Sequence, residues 1–385
     1  MRLSQSGRPD LAIARLAQGV SDFDADAWDR CAGSGNPFVS HAFLSMLERS
    51  GSVTVEAGWQ PLPIAIDGPG GLLAGVAPAY VKSHSQGEYV FDHGWADAWH
   101  RAGGQYYPKL VIASPFSPVP GPRLLTPDDG VARGLIAAAD AIVTQNGLSS
   151  AHANFLDSRD VERFRAAGWL IREGSQFHWV NQAYGSFDDF LAGLSSRKRK
   201  AIRKERAHAQ SGLEIVHLTG DAITEAHWDV FWGFYQDTGS RKWGRPYLTR
   251  RFFSLLGECM AAKVLLIFAL RDGRPIAGAL NLVGEDTLYG RYWGCCEDVP
   301  FLHFELCYYQ AVDFAIAHGL GKVEAGAQGE HKLARGYGPV PTWSAHFIAD
   351  PGFRAAVADF VERERRAVER EIAFLGELTP FRKGG

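Results

Sequence analysis

Cysteine is scarce in this sequence and badly placed for cross-linking. Its five cysteines (Cys31, Cys259, Cys295, Cys296, Cys307) contain no CxxC pair, and the adjacent Cys295 and Cys296 have a spacing poorly suited to an ordinary disulfide. Long apolar runs are missing too. Nothing approaches the ~18 apolar residues of a membrane span, and the opening MRLSQSGRPDLAIARLAQG scatters charge where a signal peptide needs an apolar core. These absences fit a reducing compartment and predict a cytoplasmic protein without a membrane span. HExxH, GxSxG and Cys/His ligand spacings do not occur, and GPGG (68–71) lacks the Lys and Ser/Thr that complete a phosphate loop. No metal and no cofactor is implied. Neither charge sign dominates: 40 Lys and Arg against 43 Asp and Glu leave a net charge of −3, so attraction to a polyanion must come from a local patch.

What is present describes a folded chain of two parts. At 385 residues it exceeds one ordinary core, and 46% hydrophobic with 22% charged residues is the composition of an ordered globular protein. Leu72–Val76 aligns with Pro275–Ala279 at an offset of 203 positions that also pairs Tyr89 with Tyr292, which predicts a degenerate duplication. The second copy is the clearer. VLLIFAL (264–270) and PIAGALNLV (275–283) flank Asp272-Gly273, a strong hairpin turn, and LYGRYWG (288–294) follows as a third strand. Asp298 can cap a helix with Pro300 in its first turn and a stripe of Phe304, Tyr308, Ala311 and Ala315, after which KVEAG (322–326) reads as a strand. An antiparallel meander running into a helix and another strand is the core order of the acetyltransferase fold. The expected class is α/β (α+β): two tandem acetyltransferase-like domains with mixed, largely antiparallel sheets. They span 1–182 and 183–385, the second carrying a basic helix over 195–211 and a C-terminal helix.

Three clusters could carry chemistry. In SSRKRKAIRKERAHAQSG, Arg197, Lys198, Arg199, Lys200, Arg203, Lys204 and Arg206 crowd onto about three helical turns, with 199, 203 and 206 on one face. Such a run is either a solvated face or a seat for an anion: a nucleotide-sugar diphosphate, a phosphate headgroup, an acyl-carrier protein or a tRNA backbone. In EAGAQGEHKLARGYGP, Glu330, His331, Lys332 and Arg335 follow a strand in a Gly-rich loop. There a His or Glu can act as base while the cation holds developing negative charge, unless the segment is only a polar surface turn. Arg291, Trp293, His303 and Glu305 bracket the start of the central helix, whose amides could bind an anionic or polarised oxygen. Arg123, in the proline-rich loop SPFSPVPGPRLL, is a further candidate anion contact.

Taken together, NPFVSHAFLSMLE (36–48), SPFSPVPGPRLL, FHWVN (177–181), the basic helix, YWG (292–294) and GEHKLARGYGP resemble the FemAB-like proteins. These are acyltransferases of the GCN5-related superfamily associated with peptidoglycan biosynthesis or recognition. The resemblance implies a double acetyltransferase-like fold and transfer of an aminoacyl group from aminoacyl-tRNA to an amine on a cell-envelope precursor. It implies a functional role for Lys332, although His331 stands where the relatives carry Phe. The superfamily's coenzyme A users have a Gly-rich turn before the central helix; here the segment is CCEDVPFLHFE, with no Gly, three acidic residues and a Pro. That departure points away from acetyl-CoA and toward aminoacyl-tRNA or another acyl carrier. The expected chemistry is N-acyl transfer by positioning and charge stabilisation, without a covalent intermediate. The rivals are an acyl-CoA-dependent N-acyltransferase and a non-catalytic binder of an anionic glycan precursor or RNA.

Overall fold

The computed structural model describes residues 13–242, 246–326 and 330–382. In the first half the strands are β1 (Ala14–Leu16), β2 (Trp59–Pro61), β3 (Ile64–Asp67), β4 (Leu73–Ala77), β5 (Ala79–Lys82), β6 (Lys109–Ile112), β7 (Ser150–Leu156) and β8 (Leu170–Val180). In the second they are β9 (Glu214–Thr219), β10 (Val264–Arg271), β11 (Arg274–Val283), β12 (Thr287–Cys295), β13 (Lys322–Glu324) and β14 (Gly338–Ile348). Strands β1, β3 and β4 form a small sheet, and the other eleven form one continuous sheet in the order β2-β5-β6-β7-β14-β8-β13-β12-β11-β10-β9. Its neighbours run antiparallel except at β6/β7 and β12/β13.

The duplication is present as an order of elements. A hairpin, a strand, a helix and a parallel strand recur: β3–β5, β6, helix Asp129–Asn146 and β7 in the first half answer to β10–β11, β12, the helix ending at Ala317 and β13 in the second. Asp272 and Gly273 take positive φ (50° and 75°), the twist a two-residue hairpin requires, and β10 and β11 pair across them as the sequence predicts. The pairing of Tyr89 with Tyr292 is wrong. Tyr89 lies in a loop at φ 58°, and the counterpart of β12 is β6, because the first half inserts helix His93–Arg101 between β5 and β6.

The halves also exchange strands. β14 inserts between β7 and β8, and β8 in turn lies between β14 and β13, so each half places its longest strand within the other's part of the sheet. A shared core reinforces this. Trp28, Phe38 and Phe43 from the first half and Phe231, Phe252 and Leu280 from the second belong to one buried apolar cluster.

Candidate active site

β12 and β13 pair only over Thr287–Tyr289 and Lys322–Glu324. β12 then runs on to Cys295 while β13 stops, so the strands part and leave a cleft of about 100 Å³. Arg291, Trp293, His303, Cys307, Tyr308 and Ala325 are among its lining residues. The register between β11 and β12 slips here, with Gly290 opposite Asn281 and Tyr292 opposite Leu280, which leaves Arg291 as the extra residue of a bulge. A bulge re-aims its side chain. The Arg291 guanidinium lies 5.4 Å from the Phe38 ring and donates from Nη2 to the Phe116 carbonyl at 2.7 Å, reaching into the first half.

One wall of the cleft is the central helix, and it does not start as the sequence suggests. Phe301, in the left-handed region at φ 66°, precedes the first helical residue, Leu302, and Asp298 does not cap it. The helix then widens into a π-helical turn over Glu305–Tyr309, an insertion often associated with functional sites. This turn presents Cys307 and Tyr308 to the cleft. Glu305 faces the other way: fully buried, it accepts hydrogen bonds from Arg206 at 3.0 Å, Gln210 at 2.8 Å and Gln310 at 2.6 Å. That corrects its expected catalytic role, since all these partners hold the helix in place.

The short turn Glu330–Arg335 carries the next group of candidate residues. Lys332 is only 1% exposed and donates from Nζ to the Gly326 carbonyl at 2.6 Å. Burial pushes its pKa down to about 8, partly countered by the nearby Cys307. His331 shares a hydrogen bond of 2.9 Å between its Nε2 and the Tyr308 hydroxyl. Its ring lies 6.2 Å from that of His303, which meets Trp293 edge-on at 5.2 Å. Arg335 caps the group, with its guanidinium 3.4 Å from the Phe304 ring centroid. The side chain of Glu330 lies outside the described part of the structure.

Arg291, Trp293, His303, His331 and Lys332 therefore gather at or beside one cleft. Tyr308, Cys307 and Tyr337 belong there as well and were not identified from the sequence. Tyr308 was hidden in a stripe that reads as packing. Tyr337 is fully buried beside Tyr308, Cys307 and Tyr309, and its hydroxyl has no hydrogen-bond partner among the described residues.

The basic helix, Ser196–Ala209, is split between two roles. Arg197, Lys200, Arg203 and Lys204 are exposed, and Arg199 is half-buried. Arg206 turns inward to Glu305 and to Asp313 at 2.6 Å, so the expected shared face of 199, 203 and 206 does not exist. The reason is the helical period: Ile202 and Ala209 are the buried positions, and residue 206 falls between them. Arg123 is also corrected. It is fully buried and donates to the carbonyls of Val119, Pro122 and Asn154, which clamps the proline-rich loop and leaves it no access to an anion from solvent.

Comparison with known proteins agrees with this fold. The FemAB-like family model, described as peptidoglycan biosynthesis/recognition, matches residues 19–383. No protein in the search of curated proteins matches the sequence. Among solved structures, FemX is similar at a TM-score of 0.53 and 11% identity, covering 89% of this chain and 100% of that one. L-PGS from Bacillus licheniformis is similar at 0.51 and 11% identity, covering 86% and 98%. Identities this low speak for the fold alone.

Proposed function

The chain belongs to the FemAB-like family, and from that premise we propose that it transfers an acyl or aminoacyl group from an activated carrier to an amine of a cell-envelope precursor, in the cleft between β12 and β13. The observation that carries this reading is the cluster of Arg291, Trp293, His303, Tyr308 and His331 at the parted strands, with Lys332 buried beside it. Such a transfer needs a neutral amine and a stabilised tetrahedral oxyanion. In this reading the His331–Tyr308 pair takes the proton lost by the attacking amine and passes it to the carrier's oxygen or sulfur as the carrier–acyl bond breaks. Lys332 supplies positive charge to the oxyanion, and the walls exclude water.

The donor is assigned to a carrier other than coenzyme A. The segment before the central helix holds Glu297, paired with Arg271, together with Asp298 and Pro300, and Phe301 breaks the helical run of amides. A pyrophosphate meets negative charge and too few free donors there. The exposed bases Arg197, Lys200, Arg203 and Lys204 instead offer a seat for a polyanionic carrier such as tRNA. Isothermal calorimetry tests this: acetyl-CoA is expected to show no low-micromolar binding. Such binding would reassign the protein as an acyl-CoA-dependent N-acyltransferase. A Lys332→Met variant that binds tRNA and precursor normally, in a protein whose wild type shows no turnover, would leave a non-catalytic binder.

A further inference from the structure

Between residues 197 and 206 the basic helix carries seven basic side chains and a single acid, Glu205. The acid is not on the outer face where it would dilute the patch. It is only 21% exposed and accepts two hydrogen bonds, from the Tyr309 hydroxyl at 2.5 Å and from Arg335 Nη2 at 2.9 Å. Those two partners end the two elements that carry the cleft's reactive groups. Tyr309 closes the π-helical turn that presents Cys307 and Tyr308, and Arg335 closes the turn that carries His331 and Lys332. Arg335 passes the constraint on directly, donating from Nη1 to the main-chain carbonyl of His331 at 2.7 Å.

We propose that Glu205 is a positioning residue that clamps the π-helical turn and the reactive turn together, so that occupancy of the helix's outer basic face and the geometry of the cleft are linked. The inference rests on the reading of the cleft as the active site and of the outer face as an anion site. One helix holds both ends of the linkage. Arg197, Lys200, Arg203 and Lys204 point to solvent, while Glu205 and Arg206 point to the cleft's walls. A polyanion that relieves repulsion among the outer bases stabilises the helix and hence the clamp, and by reciprocity a closed clamp favours the polyanion. Direct contact of Glu205 with substrate is not required.

Cleft geometry can be read without knowing the substrate, because Cys307 lines the cleft while Cys259 and Cys296 are exposed elsewhere. The experiment measures N-ethylmaleimide labelling at each cysteine by peptide mass spectrometry, in the full chain, with and without a 20-base-pair RNA duplex as polyanion. Glu205→Gln is expected to speed labelling of Cys307 about tenfold, as for loss of one charge-assisted hydrogen bond, with Cys259 unchanged. Glu205→Asp, which keeps the charge, is expected to restore most of the protection. RNA is expected to slow Cys307 labelling in the wild type and to have no such effect in Glu205→Gln. If Glu205→Gln does not fold, Tyr309→Phe removes one clamp bond without stranding a charge and is expected to raise the rate by a smaller factor. Unchanged Cys307 labelling in the clamp variant overturns the proposal, as does RNA that binds the wild type and leaves Cys307 indifferent. RNA that fails to bind at all removes the anion reading, and the linkage with it, while the variant rates still decide whether Glu205 holds the turns.

Discussion

Lys332 shows how a residue's chemistry and its cost to the fold can be separated. Its folded pKa of about 8 lies below the ordinary lysine value because an ammonium has lost its water. Between about pH 8 and the unfolded value the native state binds fewer protons than the unfolded chain, so stability rises with pH through that window, and below pH 8 the burial penalty is fully present. Lys332→Met is therefore expected to stabilise the protein at neutral pH by roughly 2 kcal/mol, after allowing for the lost bond to Gly326. The same change is expected to abolish acyl transfer. Urea denaturation and a transfer assay read the two effects independently, and a less stable variant would make Lys332 a structural partner. In the wild type, turnover that requires the Lys332 cation is expected to decline as pH rises through about 8. The sequence could point to Lys332 through its polar, Gly-rich surroundings, but it gave no sign that the side chain is buried. Glu305 and Arg123 failed as candidates because residue type alone does not reveal burial: Glu305 is held by Arg206 and Gln210 from a helix about a hundred residues away, and Arg123 folds back onto carbonyls of its own loop and onto Asn154.

The basic helix carries the lesson at the level of an element. A 3.6-residue period was legible in the sequence, but choosing its inner face from a run with so few apolar anchors was not, and Arg206 was placed outside. Two charge changes should therefore behave oppositely. Arg199→Glu with Arg203→Glu is expected to leave stability nearly intact, because Arg203 pairs with the exposed Asp188 and such pairs contribute about 0–1 kcal/mol. It is expected to abolish binding of tRNA or a nucleotide-sugar precursor and to flatten the salt dependence. Arg206→Ala is expected to cost about 3 kcal/mol, since it strands the fully buried Glu305 carboxylate. Thermal melts and fluorescence anisotropy distinguish the two, and equal destabilisation by both would restore the single-face picture. Elements fixed by local chemistry were easier to read. The Asp272-Gly273 hairpin stands where the sequence predicts it, both residues at positive φ between β10 and β11. The π-helical turn was not legible, because the bonds holding Glu305 come from another helix.

At the scale of the whole molecule, the tandem order was visible in the sequence, whereas the exchange of β8 and β14 was not. Each strand's pattern records that it is buried, but not which distant strand lies beside it. Residues 1–182 alone would lack β14 between β7 and β8, and residues 183–385 alone would lack β8 beside β13, so neither fragment is expected to fold by itself. The seam also contains an acid-sensitive pair. His152 of β7 and His346 of β14 meet with their Nδ1 atoms 2.6 Å apart, fully enclosed by Ser150, Ser344, Tyr106 and Trp95. Lys109, Arg172 and Asp92 are the charges that act on them. Burial is the main cause that pushes His152 down to about 3 and His346 well below its usual value, while an unfolded histidine titrates near 6.5. The native state thus refuses two protons that the unfolded chain accepts below about pH 6.5, so the pair's contribution is complete above that pH and lost as pH falls toward 3. Between pH 7 and pH 5 the expected loss is roughly 4 kcal/mol for the two sites together. Asp92, held well below the usual carboxylate range by Lys109, adds a loss of the same sign only at lower pH, so it does not blur this window. Urea midpoints at pH 7 and pH 5 compared between wild type and His152→Gln isolate the effect, since His178, also pushed down by burial to about 3, adds a loss of the same sign and Glu48, pushed up by burial to about 7, one of the opposite sign in both proteins; the variant is expected to lose about half of the pair's share. Hydrogen exchange should show β14 opening first, because protonation acts on the strand that joins the halves. An equal change from pH 7 to pH 5 in wild type and His152→Gln would mean that the histidines are already charged or that the seam lets water in.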